Sequence, residues 1–200
     1  MANLIRIIST IKKGDLVCLP TDTLYSLSCD ATNDKAVKRV FLAKGRDFNK
    51  PLPIFVHSLK QAKHYAIFND KALMLAEKFW PGQLTMVLPL KMNTNLSQYV
   101  YGVNTNIAIR IPQHKLLLQI LRETQLPLVA TSANKSETPN KLNLEEVKSD
   151  FKDQINLYIE NNEPVGANEA STIIDCCTKN LMISRQGQIA MSDLMRILDK

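Results

Sequence analysis

Apolar residues first recur as Leu4, Ile7, Ile8 and Ile11, the i, i+3, i+4, i+7 spacing of an amphipathic helix, and Lys12, Lys13 and Gly14 predict its end. LVCLP at 16–20 then predicts a short buried strand, with Pro20 fixing the exit into a polar, hydroxyl-rich turn, PTDTLYSL. Further strands are predicted at 53–57, 84–90, 107–111, 127–131, 155–159, 172–175 and 181–184. Helices are predicted over 33–43, 70–79, 113–124, 143–149 and 192–198. Strands and helices interleave throughout, so the expected architecture is a single α/β domain over 1–200 with a mixed sheet, its antiparallel pairs toward the end. The stretches 91–106 and 134–143 are loops long enough to carry function.

Periodicity also assigns faces. Between 33 and 43 it buries Ala36, Val37, Val40 and Phe41 and leaves Lys35, Lys38 and Arg39 to solvent, with Lys44, Arg46 and Lys50 following on a loop. In IAIRI, alternation sends Ile107, Ile109 and Ile111 to one side and Ala108 with Arg110 to the other. Trp80 reads as core, and His57, His64 and His114 as packing residues.

At 200 residues, 45% hydrophobic and 22% charged, with six Gly and nine Pro, the chain is no collagen, coiled-coil rod or disordered segment. No stretch reaches the roughly 18 apolar residues of a membrane span, and Arg6 breaks the opening segment as a signal-peptide core, so a cytoplasmic protein with no membrane partner is expected. Cys18, Cys29, Cys176 and Cys177 form no CxxC pair and the histidines no HxxxH, so neither a zinc site nor a disulfide is expected. The net charge is +6, and residues 35–50 supply most of it, with six cations against Asp47 alone. Such a cluster attracts nucleotides, pyrophosphate or RNA.

Neither a P-loop nor a Rossmann fingerprint is present, so a bound nucleotide would rely on cationic side chains and loop hydroxyls. Lys44, Arg46 and Lys50 surround a Gly turn, and Arg can grip phosphate oxygens bidentately. TSANKSETPN at 131–140 follows its strand much as PTDT follows LVCLP, and strand-end loops are where α/β proteins place ligands. Ser132, Asn134 and Ser136 in it are candidate donors or simple caps. Ser171 opens one late strand and Arg185 leaves another. No Ser or Cys pairs with a His in a recognisable nucleophile elbow.

In this order PTDTLYSL (20–27), KGRDFNKPL (44–52), WPGQLTMVL (80–88), IAIRIPQH (107–114), TSANKSETP (131–139), STIID (171–175) and SRQG (184–187) are specific. The chain resembles the YrdC/TsaC family, the threonylcarbamoyl-AMP synthases of tRNA modification, from about residue 5 to 190. The resemblance implies a YrdC-like twisted mixed sheet flanked by helices, with a cationic concave face. It implies synthesis of L-threonylcarbamoyladenylate from L-threonine, bicarbonate and ATP with Mg²⁺, and release of pyrophosphate. A tRNA-modifying carbamoyltransferase complex would use the product at position 37 of ANN-decoding tRNAs.

Carried onto matching positions, Lys44, Arg46 and Lys50 would be the catalytic cations, with Arg46 and Lys50 on the ATP phosphates. Asn106, Ser132, Asn140 and Arg185 would complete the ATP site, and Thr23, Arg110, Ala130 and Ser171 would hold threonine. Three positions depart from the family pattern. Ser26 and Ser28 stand where relatives have Gly, and Glu137 replaces another Gly, putting a carboxylate beside the expected phosphate loop. The competing reading is a non-catalytic module for double-stranded RNA or tRNA, which the charge pattern alone does not separate from the enzyme. Carbamoyl-transfer proteins of hydrogenase maturation share this domain in much longer chains.

Overall fold

The computed structural model describes residues 2–101, 105–160, 169–178 and 181–198. Gly102 and Gly166 lie outside them, as do three residues of the loop expected at 91–106. The elements run α1 (Ala2–Lys12), β1 (Val17–Leu19), β2 (Ser26–Ser28), α2 (Asp34–Lys44), β3 (Ile54–Phe55), α3 (Leu59–Tyr65), α4 (Asp70–Phe79), β4 (Leu84–Pro89), α5 (Gln98–Tyr101) and β5 (Asn106–Arg110). They continue as α6 (Lys115–Thr124), β6 (Leu128–Val129), β7 (Thr131–Ser132), α7 (Leu144–Phe151), β8 (Leu157–Tyr158), β9 (Thr172–Asp175), β10 (Met182–Arg185) and α8 (Met191–Leu198).

Two mixed sheets replace the one expected. The smaller has the order β7-β2-β1-β8, the larger β10-β9-β4-β5-β3-β6. Within them β1–β8, β4–β9 and β3–β5 are parallel and the remaining pairs antiparallel. The expected strand 127–131 is what divides them: Leu128 and Val129 pair with β3, whereas Thr131 and Ser132 pair with β2. The chain changes sheets at Ala130, whose N–H donates to Pro53 O at 2.8 Å. β2 itself falls in the segment expected as a turn. It is a strand because Leu27 pairs with Cys18 of β1 and its residues are all buried.

The apolar stripes predicted from the sequence face these sheets. Ile7 and Ile11 of α1 pack with Leu117, Ile120 and Leu121 of α6 over Val17, Leu19 and Leu128. Val37, Val40 and Phe41 of α2 join the larger core with Leu84, Met86, Ile107 and Ile109. Helix α2 begins at Asn33, whose side chain accepts from Ala36 N, and runs one residue past the expected end to include Lys44. Gly45 stops it at φ +60, and Arg46 N donates to Phe41 O at 2.9 Å. Phe41 is fully buried, and Phe48 of the next loop stacks on it with centroids 4.7 Å apart.

That stack links core packing to the position of the loop carrying Arg46. Phe41→Ala is expected to lower unfolding free energy by about 3–5 kcal/mol, because a fully buried ring is replaced by a cavity. Urea denaturation checks this, and Phe41→Leu should cost well under half as much.

Candidate functional site

A cavity of about 610 Å³ is lined from both sheets. Strand alternation decides which side chains reach it. β4 sends Thr85 and Val87 into it and Leu84, Met86 and Leu88 into the core. β5 sends Asn106, Ala108 and Arg110, and its isoleucines the other way, as the pattern of IAIRI predicts. Register makes the floor continuous, since Val87 lies opposite Ala108, Thr85 opposite Ile173, and Phe55 opposite Arg110. Ser26, Ala130, Thr131 and Ser132 form the wall from the smaller sheet and the crossing point.

Three guanidinium groups line this space, from Arg46, Arg110 and Arg185, and no Asp or Glu does among the described residues. Arg110 is 4% exposed. Its Nε donates to Gly82 O and its Nη1 to Thr23 Oγ1, both at 2.9 Å, and Nη2 lies 2.6 Å from Asp22 Oδ1. The Phe55 ring centroid is 5.7 Å from its guanidinium carbon. Burial pushes the Arg110 pKa down and the Asp22 charge pulls it back up. As a unit the Arg110–Asp22 pair is neutral, which leaves Arg46 and Arg185 as the other cations of the described lining.

Arg185 belongs to β10. Its Nε and Nη2 both donate to Ser171 O, at 3.0 and 2.9 Å, and Nη2 also reaches Ser171 Oγ at 3.1 Å. Ser171 Oγ in turn shares a hydrogen bond of 2.8 Å with Thr85 Oγ1. Burial, and then the Arg110 charge, lower the Arg185 pKa. Gly187 explains how β10 comes so close: a Cβ there would sit 2.7 Å from Ser171 C and against Ala170 O. Arg46 enters from the other side. Its Nε donates to Lys50 O and Nη2 to Pro51 O, both at 2.9 Å, which stiffens the loop and leaves further N–H groups for a ligand. Burial lowers its pKa.

Of the residues singled out from the sequence, Thr23, Arg46, Asn106, Arg110 and Ala130 line the cavity, as do Ser132, Asn140, Ser171 and Arg185. Lys44 and Lys50 do not. Lys44, at the end of α2, is 3% exposed, and its ammonium donates to Ser132 O and Asn134 O, both at 2.5 Å. It therefore holds up the 131–140 segment from beneath. Burial pushes its pKa down to about 7, with Arg46 and Lys135 adding repulsion. Lys50 is exposed and pairs with Glu137 at 2.9 Å.

Sequence reasoning missed Asp22 and Phe55. The parity of PIFVH, which sets Phe55 apart from Ile54 and Val56, was the available signal for the ring. Nothing local marked Asp22, whose partner lies on a distant strand. The serines that stand in place of family glycines are absorbed by the strand ladder: Ser26 Oγ bonds Ser28 Oγ at 3.0 Å and donates to Thr131 O at 3.1 Å. Cys18, Cys29 and Cys176 are buried, and the Trp80 indole N–H donates to Leu84 O at 2.7 Å.

Fold and cavity together define an α/β protein with a pocket lined by guanidinium and hydroxyl groups. The model of the Sua5/YciO/YrdC domain, described as telomere recombination, matches residues 9–187, and the chain belongs to that family. It is 34% identical over 190 residues to the threonylcarbamoyl-AMP synthase of Pyrococcus abyssi, covering 94% of this chain and 55% of the relative. It is 32% identical over 189 residues to that of Bacillus subtilis, covering 94% of this chain and 54% of the relative. The chain thus spans about half the length of these curated relatives. Among solved structures it is similar to P. abyssi Sua5 complexed with L-threonine, at TM-score 0.91 and 32% identity, over 98% of this chain and 57% of that one. Escherichia coli YciO shares the fold at TM-score 0.85 and 19% identity, over 96% of this chain and 93% of that one.

The depressed Lys44 pKa has a signed consequence. Below about pH 7 the amine is protonated both folded and unfolded, and the cost of burying it is carried in full. Between about 7 and 10.5 the folded chain sheds a proton that the unfolded chain keeps, so this cost fades as pH rises. Unfolding free energy is expected to climb over that interval in urea titrations, and Lys44→Met should flatten the climb whatever its absolute stability.

Proposed function

We propose that the cavity joins L-threonine, bicarbonate and ATP into L-threonylcarbamoyladenylate and releases pyrophosphate. The observation that carries this is the convergence of Arg46, Arg185 and the Asp22-paired Arg110 with a set of hydroxyls on one cavity whose described lining holds no carboxylate. Substrates that bring a triphosphate, a carbamate and an amino-acid carboxylate together repel one another, and only such a lining neutralises them. Support also comes from the relatives named threonylcarbamoyl-AMP synthase and from the relative solved with L-threonine. A duplex RNA backbone would instead need its cations spread over an open surface.

In this reading the threonine amine and bicarbonate give the carbamate and water. A carbamate oxygen then attacks the α-phosphorus in line. The bond from phosphorus to the bridging oxygen breaks, and its electron pair leaves with pyrophosphate. No covalent nucleophile is required, because phosphoryl-type transfer depends on alignment and charge stabilisation. Arg46, on a loop stiffened by its own bonds to Lys50 O and Pro51 O, lies at the phosphate side with Ser132 and Asn140. Thr23, Arg110, Ser171 and the Ala130 backbone form the amino-acid side, with Arg185 held beside them by its bonds to Ser171.

Mg²⁺ belongs to this scheme as part of the ATP substrate. The described lining offers no Asp, Glu or His, and no group of three such residues occurs elsewhere among the described residues, so the donor set does not fit a resident cation. The product would pass to a tRNA-modifying carbamoyltransferase complex.

Mass spectrometry of a reaction containing ATP, L-threonine and bicarbonate should show the adenylate, and serine should give less. Arg46→Ala is expected to reduce threonine- and bicarbonate-dependent pyrophosphate release by about 10²-fold, the usual cost of removing a transition-state donor, with an unchanged circular dichroism spectrum. Wild-type rates in that variant, or faster turnover with serine, would refute the assignment.

A further inference from the structure

Two loops border the side of the cavity assigned to phosphate, and among the described residues one ion pair, between side chains just outside the lining, joins them. One loop carries Arg46 and Pro51, the other Ser132 and Asn140, all at the cavity. Lys50 from the first meets Glu137 from the second at 2.9 Å, with side-chain exposures of 54% and 79%. Glu137 takes a left-handed backbone at φ +64, a conformation strained for a residue with a Cβ. The turn imposes that conformation. Ser136 N donates to Lys44 O at 2.8 Å, and Asn134 Nδ2 donates to Thr138 O at 2.7 Å. Because both sides of the turn are pinned, the Glu137 carboxylate is aimed at the facing loop.

We infer that Glu137 is an internal competitor for the nucleotide: its carboxylate occupies Lys50 as a substrate phosphate would, strapping the two loops together until the triphosphate displaces it. This rests on the nucleotide reading given above. Lys50 has a flexible four-carbon stem ending in a point charge, so it can exchange one oxyanion for another without moving the backbone. Arg46, held by two carbonyls, stays in place through the exchange. ATP affinity in this chain is then set by a difference between two lysine contacts, and the freed carboxylate additionally repels the incoming phosphates. Both effects act between exposed groups and are screened by salt.

The test is calorimetric titration of MgATP, inorganic tripolyphosphate and L-threonine into the wild-type chain, Glu137→Gln, Glu137→Gly, Lys50→Met and the Glu137→Gln/Lys50→Met double variant. Glu137→Gln should tighten ATP and tripolyphosphate about three- to tenfold at low salt, with the gain shrinking as salt is raised and the threonine affinity unchanged. Glu137→Gly should give the same gain and also raise the melting temperature, since it relieves the left-handed strain. On the Lys50→Met background the Glu137→Gln gain should largely disappear. An unchanged or weakened affinity in Glu137→Gln, or an equal gain with and without Lys50, would overturn the inference while leaving adenylate synthesis intact. Tighter tripolyphosphate binding in a chain that makes no adenylate would support the competitor and sink the synthase. Failure of wild type and Glu137→Gln alike to bind either polyphosphate would overturn both.

Discussion

The contact on which the site depends is the buried ion pair between Arg110 and Asp22. Arg110 ends β5 in the larger sheet, whereas Asp22 and Thr23 belong to the connection between β1 and β2 of the smaller one, so the guanidinium joins the two sheets at the cavity. Gly82 O and the Phe55 ring complete its surroundings. A buried pair of this kind adds little net stability, because desolvation offsets the attraction, yet losing one partner leaves an uncompensated charge and costs about 3–5 kcal/mol. Its value lies in geometry: it fixes how far apart the sheets stand where a ligand must fit between them.

From that anchor the electrostatics of the cavity follow. Asp22 neutralises Arg110, and the second guanidinium, Arg185, is held at the cavity by its bonds to Ser171, which Gly187 approaches closely. Burial first, and then repulsion from Arg110, lower the Arg185 pKa. An anion entering the space relieves that repulsion. The hydroxyl chain from Thr85 through Ser171 to Arg185 holds the donor direction fixed beforehand, so little reorganisation is left to oppose binding.

The sequence made most of this legible wherever the information was periodic. The stripe Ala36, Val37, Val40, Phe41 and the alternation in IAIRI placed α2 and β5 with the right faces inward, because burial against one neighbour is written in every third or second residue. The 127–131 strand was legible as a strand but not as two. Its transfer between sheets at Ala130 depends on partners in Pro53 and β2, far away in the chain. β2 was hidden for a related reason. Its serines read as turn residues, and only their hydrogen bonds to each other and to Thr131 O make them tolerable inside a sheet. Asp22 escaped notice because a lone carboxylate after a strand gains meaning only from the arginine it meets.

Lys44 and Lys50 show why charge along the chain is an incomplete guide to charge at a site. Both belong to the basic run that drew attention to residues 35–50, and they sit on either side of the Gly45 turn, yet their surroundings give them opposite work. The helix ending at Lys44 points its amine under the 131–140 segment, where two carbonyls accept its hydrogen bonds and burial makes the charge costly to keep. Lys50, past the turn, points to solvent and pairs with Glu137 of the facing loop. Gly45, at φ +60, is what separates the two roles: it lets the chain reverse tightly enough that one lysine supports a loop from below while the next cation, Arg46, reaches the cavity from the side.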